Sequence, residues 1–113
     1  MTDIGLDPRE STLSQMEKVV ALFAGEFDIA RKDELRAELE KLVLVPNIVL
    51  DFTEVTYIDS TCIGEVIRLH NLRAENHFER ETVIVNNENL IRIFQLLELN
   101  KLFHITSRLE TNG

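Results

Sequence analysis

The sequence is short of glycine, cysteine and basic residues, and each shortage excludes a class of function. Its four glycines form neither a GxGxxG nor a GxxxxGKS/T motif, so we expect no dinucleotide or P-loop site. The single cysteine, Cys62, excludes an intramolecular disulfide and fits a reducing cytoplasm. With 12 basic and 20 acidic residues the net charge is −8, which disfavours nucleic acid and anionic membrane surfaces as partners.

Motifs of catalysis and metal binding are also missing. There is no HExxH motif, and His70, His77 and His104 are widely spaced, so we expect neither a metal ion nor another cofactor. No GxSxG elbow surrounds Ser60 and no kinase signature occurs, so the chain is not expected to be an enzyme. No apolar run approaches the roughly 20 residues that span a bilayer, and Met1 to Glu10 lack the apolar core of a signal peptide. We therefore expect a cytoplasmic protein.

What is present fits one folded domain. The chain has 113 residues, of which 44% are hydrophobic and 28% charged, which is enough apolar material for a single core. We expect this domain to span residues 1–113. Residues 1–10 would form a loose lead-in with Gly5 and Pro8 as breakers, and residues 107–113 a frayed tail.

Hydrophobic periodicity predicts an α/β fold. Segments with strand character alternate along the chain with segments of helical period. The predicted strands are Ser11–Met16, Val19–Phe23, Val49–Phe52, Thr82–Val85 and Leu102–Ile105, with Gly25 to Asp28 ending the second. The predicted helices are Ile29–Val43 with Asp28 as its cap, Ser60 or Thr61 to about Asn76, and a stripe of Leu90, Ile93, Phe94 and Leu97 ended by Asn100-Lys101. This order predicts a mostly parallel sheet of four to five strands, with an N-terminal edge strand and amphipathic helices packed on it.

The chain is organised around the stretch from Ile48 to Glu65. A short apolar run is followed by Asp59-Ser60-Thr61, and all three are residue types that cap helices at their N-termini. A helical face of Ile63, Val66, Ile67 and His70 then begins. Only one of Asp59 and Ser60 can be the cap. The other would offer a polar group at a helix N-terminus, where a phosphate is well tolerated.

Cys62 and Gly64 each have two interpretations. Cys62 lies in the first turn of the helix, where a thiol is either packed as a small apolar group or activated by a lowered pKa. Gly64 either permits close approach of another backbone or is required for packing of the helix against the sheet.

Beyond these patterns, the stretch from Asp51 to Gly64 resembles the signature of the STAS domain of bacterial anti-sigma factor antagonists. That signature is an apolar strand followed by Asp-Ser-(Ser/Thr)-Gly-Leu-Gly. Gly25-Glu26-Phe27-Asp28 resembles the family's Gly-Glu-Leu-Asp element, and Asn89 to Phe103 resembles its C-terminal helix and following strand. The resemblance covers about residues 18–106. Cys62 and Ile63 replace the family's glycine and leucine, and the Cys62 side chain would thicken the surface beside Ser60.

The resemblance implies a phosphorylation switch at Ser60, with Thr61 as the alternative acceptor. The partner would be an anti-sigma factor that is also a serine kinase with a histidine-kinase-like ATPase fold. The unphosphorylated chain would bind it and release the sigma factor, phosphorylation would abolish binding, and a phosphatase would restore it. The implied partner-binding residues are Asp28, Asp59, Ser60, Thr61, Cys62, Gly64 and Glu65.

Two other functions are compatible with the sequence. The same domain could serve as a STAS scaffold or accessory subunit in a signalling or transporter assembly. A small enzyme or ligand-binding protein could use Asp59 and Ser60, although a base or cofactor motif is missing.

Overall fold

The computed structural model describes residues 18–107, and within them strands and helices alternate as predicted. The strands are β1 (Val19–Phe27), β2 (Ile48–Ile58), β3 (Thr82–Ile84) and β4 (His104–Thr106). The helices are α1 (Lys32–Glu40), α2 (Ser60–Glu75) and α3 (Glu88–Leu96), with 3-10 turns at Ile29–Arg31 and Leu99–Lys101. The α/β fold class is confirmed. The predicted edge strand Ser11–Met16, the lead-in of residues 1–10 and residues 108–113 lie outside the described residues.

The four described strands form one parallel sheet in the order β1-β2-β3-β4. Parallel strands need a crossover, and each helix supplies one. The carboxyl ends of all four strands therefore lie along the same edge of the sheet. At that edge Phe27 is opposite Ile58, so the residues after β1 and β2, Asp28 and Asp59, follow neighbouring strand ends.

Both β1 and β2 run farther than the sequence predicts. The prediction that Gly25 to Asp28 ends the first strand after Phe23 is wrong, because β1 continues to Phe27 through two shifts of register with β2. Gly25 has a φ of +91°, which a side-chain-bearing residue adopts only with strain, and this lets the strand pass an irregularity without ending. The longer strands carry Asp28 and Asp59 to the edge of the sheet.

The core lies between the sheet and the helices. Phe23, Phe52 and Phe94 come from β1, β2 and α3 and meet edge to face, at ring-centroid distances of 5.2 and 6.4 Å. Leu50 and Val83, opposite each other in β2 and β3, are fully buried. Each such side chain contributes about 1.5–3 kcal/mol through burial, so these contacts hold the helices to the sheet.

The helices keep their predicted places but not all of their predicted faces. The segment Ile29–Val43 is a 3-10 turn followed by the shorter helix α1. Asp28 caps the turn as predicted, since its carboxylate accepts from the Ala30 N–H at 3.0 Å. On α2 the fully buried positions include Leu69 and Arg73, whereas His70 is only partly covered.

A buried charged cluster ties the far end of α2 to the sheet. The Arg73 Nε donates to Glu81 Oε2 at 2.7 Å, and both side chains are 1% exposed. The Arg73 guanidinium also donates to the carbonyls of Leu42, Val45 and Pro46 in the turn before β2. His70 Nδ1 lies 2.9 Å from the other Glu81 oxygen. This cluster sits at the opposite end of α2 from Ser60.

The C-terminal elements are displaced from their predicted limits. Helix α3 ends at Leu96, and Glu98 follows with a φ of +56°, so the helix is interrupted before the predicted break at Asn100-Lys101. The last strand is His104–Thr106 rather than Leu102–Ile105, because the N–H groups of Leu102 and Phe103 donate to the carbonyl of Leu99 in the preceding 3-10 turn. Leu97 is 50% exposed and lies outside the core-facing stripe in which it was predicted.

Candidate functional site

The candidate site lies where β1 and β2 end. The Asp59 N–H donates to the Phe27 carbonyl at 3.0 Å, which continues the β1–β2 pairing up to the first residue of the site. The Cys62 thiol donates to the Asp28 carbonyl at 3.3 Å. These two bonds hold the turn after β1 against the N-terminus of α2. Asp28 therefore lies beside the segment that carries Ser60.

Asp59 is the N-cap of α2. Its Oδ1 accepts from the Cys62 N–H at 3.0 Å and from the Thr61 hydroxyl at 2.8 Å. The Cys62 N–H first, and then the Thr61 hydroxyl, stabilise the carboxylate and hold the pKa of Asp59 below its usual range. Asp59 is therefore an anion at neutral pH, fixed at the entrance to the helix.

Ser60 is the first residue of α2 and is exposed. Because Asp59 supplies the cap, the interpretation of Ser60 as the cap is wrong. Among residues 18–107 nothing forms a hydrogen bond with the Ser60 hydroxyl, whereas the Thr61 hydroxyl is engaged by Asp59. Of the two hydroxyls, that of Ser60 is the more available to react.

Cys62 is buried rather than on the surface. Its exposed fraction is 0%, so the expectation that its side chain thickens the surface beside Ser60 is wrong. Burial first, and then the charge of Asp59, raise the pKa of the thiol to about 11, which also contradicts an activated thiol. The packed interpretation is confirmed. In the folded chain the Cys62 side chain can support the site but cannot touch a partner.

Gly64 lies on the exposed side of α2, one turn after Ser60. A Cβ built on it would meet no atom of the described residues within 4 Å, so helix–sheet packing does not require glycine here. A glycine inside a helix nevertheless costs about 0.5–1 kcal/mol relative to alanine. No packing contact among the described residues compensates for this loss of helix stability.

Glu65 is turned away from the exposed surface. Its side chain is 10% exposed and its Oε1 lies 3.6 Å from Arg36 Nε of α1. The structure therefore places Glu65 in the contact between α1 and α2. Asp28, which is exposed, and Asp59, which is half-buried, carry the negative charge beside Ser60.

An apolar groove that was not predicted from the sequence adjoins Ser60. It has a volume of about 370 Å³ and is lined by Tyr57, Ile58, Asp59, Ser60, Ile63, Ile93, Leu96 and Leu97. Tyr57, Leu96 and Leu97 are 48%, 75% and 50% exposed. The usable signal was Leu96, which stands outside the predicted core-facing stripe of Leu90, Ile93, Phe94 and Leu97 and is therefore an apolar residue directed away from the core.

The described residues offer no alternative site for a metal. Within residues 18–107, no three His, Cys, Asp or Glu side chains are grouped so that they could hold an ion. Of the helices in the same range, none has the length and apolar character needed to cross a membrane.

Comparison with known proteins relates the chain to one family. A family model described as "Mlab, STAS domain" matches residues 12–106. A solved structure of a proposed anti-sigma factor antagonist from Thermotoga maritima is similar, with a TM-score of 0.71 and 18% identity over 81% of this chain and 80% of that one. The structure of the anti-sigma factor antagonist SpoIIAA in its unphosphorylated form gives a TM-score of 0.57 and 22% identity over 71% of this chain and 74% of that one. At these identities the two structures show a shared fold.

Proposed function

This chain belongs to the STAS domain family, and we propose that it is an anti-sigma factor antagonist switched by phosphorylation of Ser60. The partner is an anti-sigma factor that is also a serine kinase with a histidine-kinase-like ATPase fold. In this proposal the chain is the substrate of that kinase and carries no catalysis of its own. A phosphatase returns it to the binding form.

The observation that carries the proposal is the exposed, unengaged hydroxyl of Ser60 beside the fixed carboxylate of Asp59. A kinase needs a hydroxyl that it can reach and orient toward the γ-phosphate of ATP. The Ser60 hydroxyl meets the first condition, and the capping bonds of Asp59 hold the backbone around it in one conformation. Thr61 is the weaker candidate, because its hydroxyl already donates to Asp59.

The fold is expected to survive phosphorylation. A phosphate adds a charge of about −1.5 to −2 at pH 7. At the first residue of α2 this charge meets the positive end of the helix dipole and backbone N–H groups that lack a partner within the helix. Because Ser60 is exposed, the phosphate stays in water and displaces no packed side chain.

The complex, in contrast, is expected to dissociate. A partner that covers Ser60 must take its phosphate out of water beside the anionic Asp59, with Asp28 on the neighbouring turn. A buried, unpaired charge is strongly unfavourable, and the adjoining carboxylates add repulsion. Binding is therefore lost through desolvation and charge, without a change in the shape of the domain.

The proposal is tested by phosphorylation and binding with candidate anti-sigma factors from the same genome. Four proteins are compared: wild type, Ser60→Ala, Ser60→Asp and the control Thr61→Val. Each is incubated with the candidate kinase and ATP and examined by intact mass, and its binding to the candidate is measured in the presence of ADP. Wild type and Thr61→Val should gain one phosphate and Ser60→Ala none. Wild type and Ser60→Ala should bind, and Ser60→Asp should not. Loss of phosphorylation in Thr61→Val with retention in Ser60→Ala would assign the switch to Thr61.

A second candidate function, a scaffold or accessory subunit, is favoured by two observations. Gly64 and the apolar groove beside Ser60 suit a docking surface whether or not Ser60 is ever phosphorylated. In that case the partner would bind wild type and Ser60→Ala equally, and no phosphate would appear with any candidate kinase. The phosphorylation result therefore separates the two functions.

A further inference from the structure

We propose that the apolar groove beside Ser60 receives an amphipathic helix of the partner, with apolar side chains in the groove and basic residues facing Asp59. This inference deepens the proposed function and rests on it for the identity of the partner. It adds residues of α3 and the end of β2 to the surface predicted from the sequence, which comprised Asp28, Asp59 and the first turns of α2.

The shape and lining of the groove indicate apolar occupants. One wall is Leu96 and Leu97 at the end of α3, and the other is Tyr57 with Ile63 at the junction of β2 and α2. Leu96 is 75% exposed and lines the groove together with the half-exposed Leu97 and Tyr57, so the groove presents a continuous apolar patch of the kind that marks interaction sites. A helix laid in such a groove inserts side chains at i, i+3, i+4 and i+7 between two walls of this kind.

Charge selects the kind of helix. Among the described residues that line the groove, the one charged side chain is Asp59, and its lowered pKa keeps it ionised. Asp28 is held next to it through the bond between the Cys62 thiol and the Asp28 carbonyl. Lysine or arginine beside the apolar anchors would pair with these carboxylates, whereas an acidic helix would be repelled.

The same argument disfavours a second copy of this chain as the occupant. Each copy carries a net charge of −8, and two copies joined at this site would bring two Asp59 carboxylates toward each other. Like charges brought together at an interface repel each other, so an acidic self-complex at this groove is unfavourable. The occupant is therefore a different, basic chain.

The groove also explains why a phosphate on Ser60 should weaken binding strongly. Ser60 lies in the lining itself, at the same end as Asp59. A phosphate on Ser60 would stand at the rim of an apolar cleft, where a bound helix would exclude the water that solvates it. The groove thus supplies the dry surroundings in which a dianion is most unfavourable.

The test uses the full chain and a designed helical peptide, with leucines on one face and lysines on the other, titrated and followed by amide chemical shifts. Leu96→Ser is compared with Leu44→Ser, a matched control because Leu44 is 68% exposed and lies before β2, at the other end of the sheet. We expect shifts centred on Tyr57, Ile93 and Leu97, and binding at least about tenfold weaker in Leu96→Ser but unchanged in Leu44→Ser, as for loss of an interface anchor. A peptide with glutamate in place of lysine should not bind.

Several results would overturn the inference. Shifts elsewhere, no binding, equal loss in Leu44→Ser, or equal binding of the glutamate peptide would each contradict it. A wild-type dimer that Leu96→Ser converts to a monomer would assign the groove to a second copy. The peptide titration contains neither kinase nor nucleotide. If the phosphorylation experiment fails, the proposed switch is therefore rejected, but the result of the peptide titration is not affected. Conversely, failure here leaves the phosphorylation result intact.

Discussion

Replacing Gly64 with alanine should strengthen the fold and weaken partner binding, two effects of opposite sign from one methyl group. The methyl meets open space, since no described atom lies within 4 Å of the position of its carbon. Alanine in a helix interior is favoured over glycine by about 0.8–1 kcal/mol. The free energy of unfolding of Gly64→Ala should therefore rise by about that amount.

Gly25→Ala is the matched control, because it makes the same chemical change at a glycine that the fold does require. Gly25 has a φ of +91°, and a Cβ there would lie 3.1 Å from Arg31 Nη1. Holding an alanine in this region costs about 1–2 kcal/mol, so Gly25→Ala should be destabilised. Urea unfolding of the two variants beside wild type gives both values.

Binding completes the prediction for Gly64. Its surface is one turn from Ser60, and a glycine there lets a partner backbone approach more closely than any side chain would. Gly64→Ala should weaken binding of the anti-sigma factor by about tenfold, as expected for a steric change at a packed contact. A destabilised Gly64→Ala would refute the reading that the fold does not need this glycine. A stabilised variant with wild-type affinity would show that the partner does not need it either.

Two further predictions concern buried groups. Cys62 should resist thiol-modifying reagents until the chain unfolds. Because the pKa of its thiol is raised to about 11 in the folded state, the free energy of unfolding should fall as pH rises from about 9 to about 11. Unfolding of Cys62→Ala measured over the same pH range should lack the part of this fall that the thiol causes. Arg73→Met should lower the free energy of unfolding by about 3–5 kcal/mol, because it removes the permanently charged partner of the buried Glu81 carboxylate and leaves His70 beside it. The double variant Arg73→Met/Glu81→Met should recover much of the loss in urea unfolding.

The order of strands and helices could be predicted from the sequence because it depends on the local spacing of hydrophobic residues. The apolar run of β2 and the capping residues before α2 each act within a few positions, so their signals survive without knowledge of the fold. The lengths of β1 and β2 were underestimated, and β1 continues past Gly25 through a shift of register with β2. A neighbouring strand determines that outcome, and the sequence of β1 alone does not contain it.

The charged cluster in the core was missed for a related reason. Arg73 reads as a solvated helix residue, because arginine is rarely buried without a partner. Its partners are Glu81, eight residues ahead, and backbone carbonyls of the turn before β2. A side chain whose burial depends on acceptors so distant in sequence has no local signature.

At the candidate site the sequence identified the segment that follows β2 but could not say which of its residues faced outward. Five residues in succession, Asp59 to Ile63, have different surroundings: a capping carboxylate, a free hydroxyl, an engaged hydroxyl, a buried thiol and a groove wall. The helical period of 100° per residue separates them, and the phase is set by the choice of Asp59 as the cap. Had Ser60 been the cap, its hydroxyl would have been bound to the helix backbone and less available to a kinase. The identity of the cap is thus the structural fact on which the proposed switch depends, and moving the cap to residue 60, by Asp59→Ala, should slow phosphorylation of Ser60 even where the helix still forms.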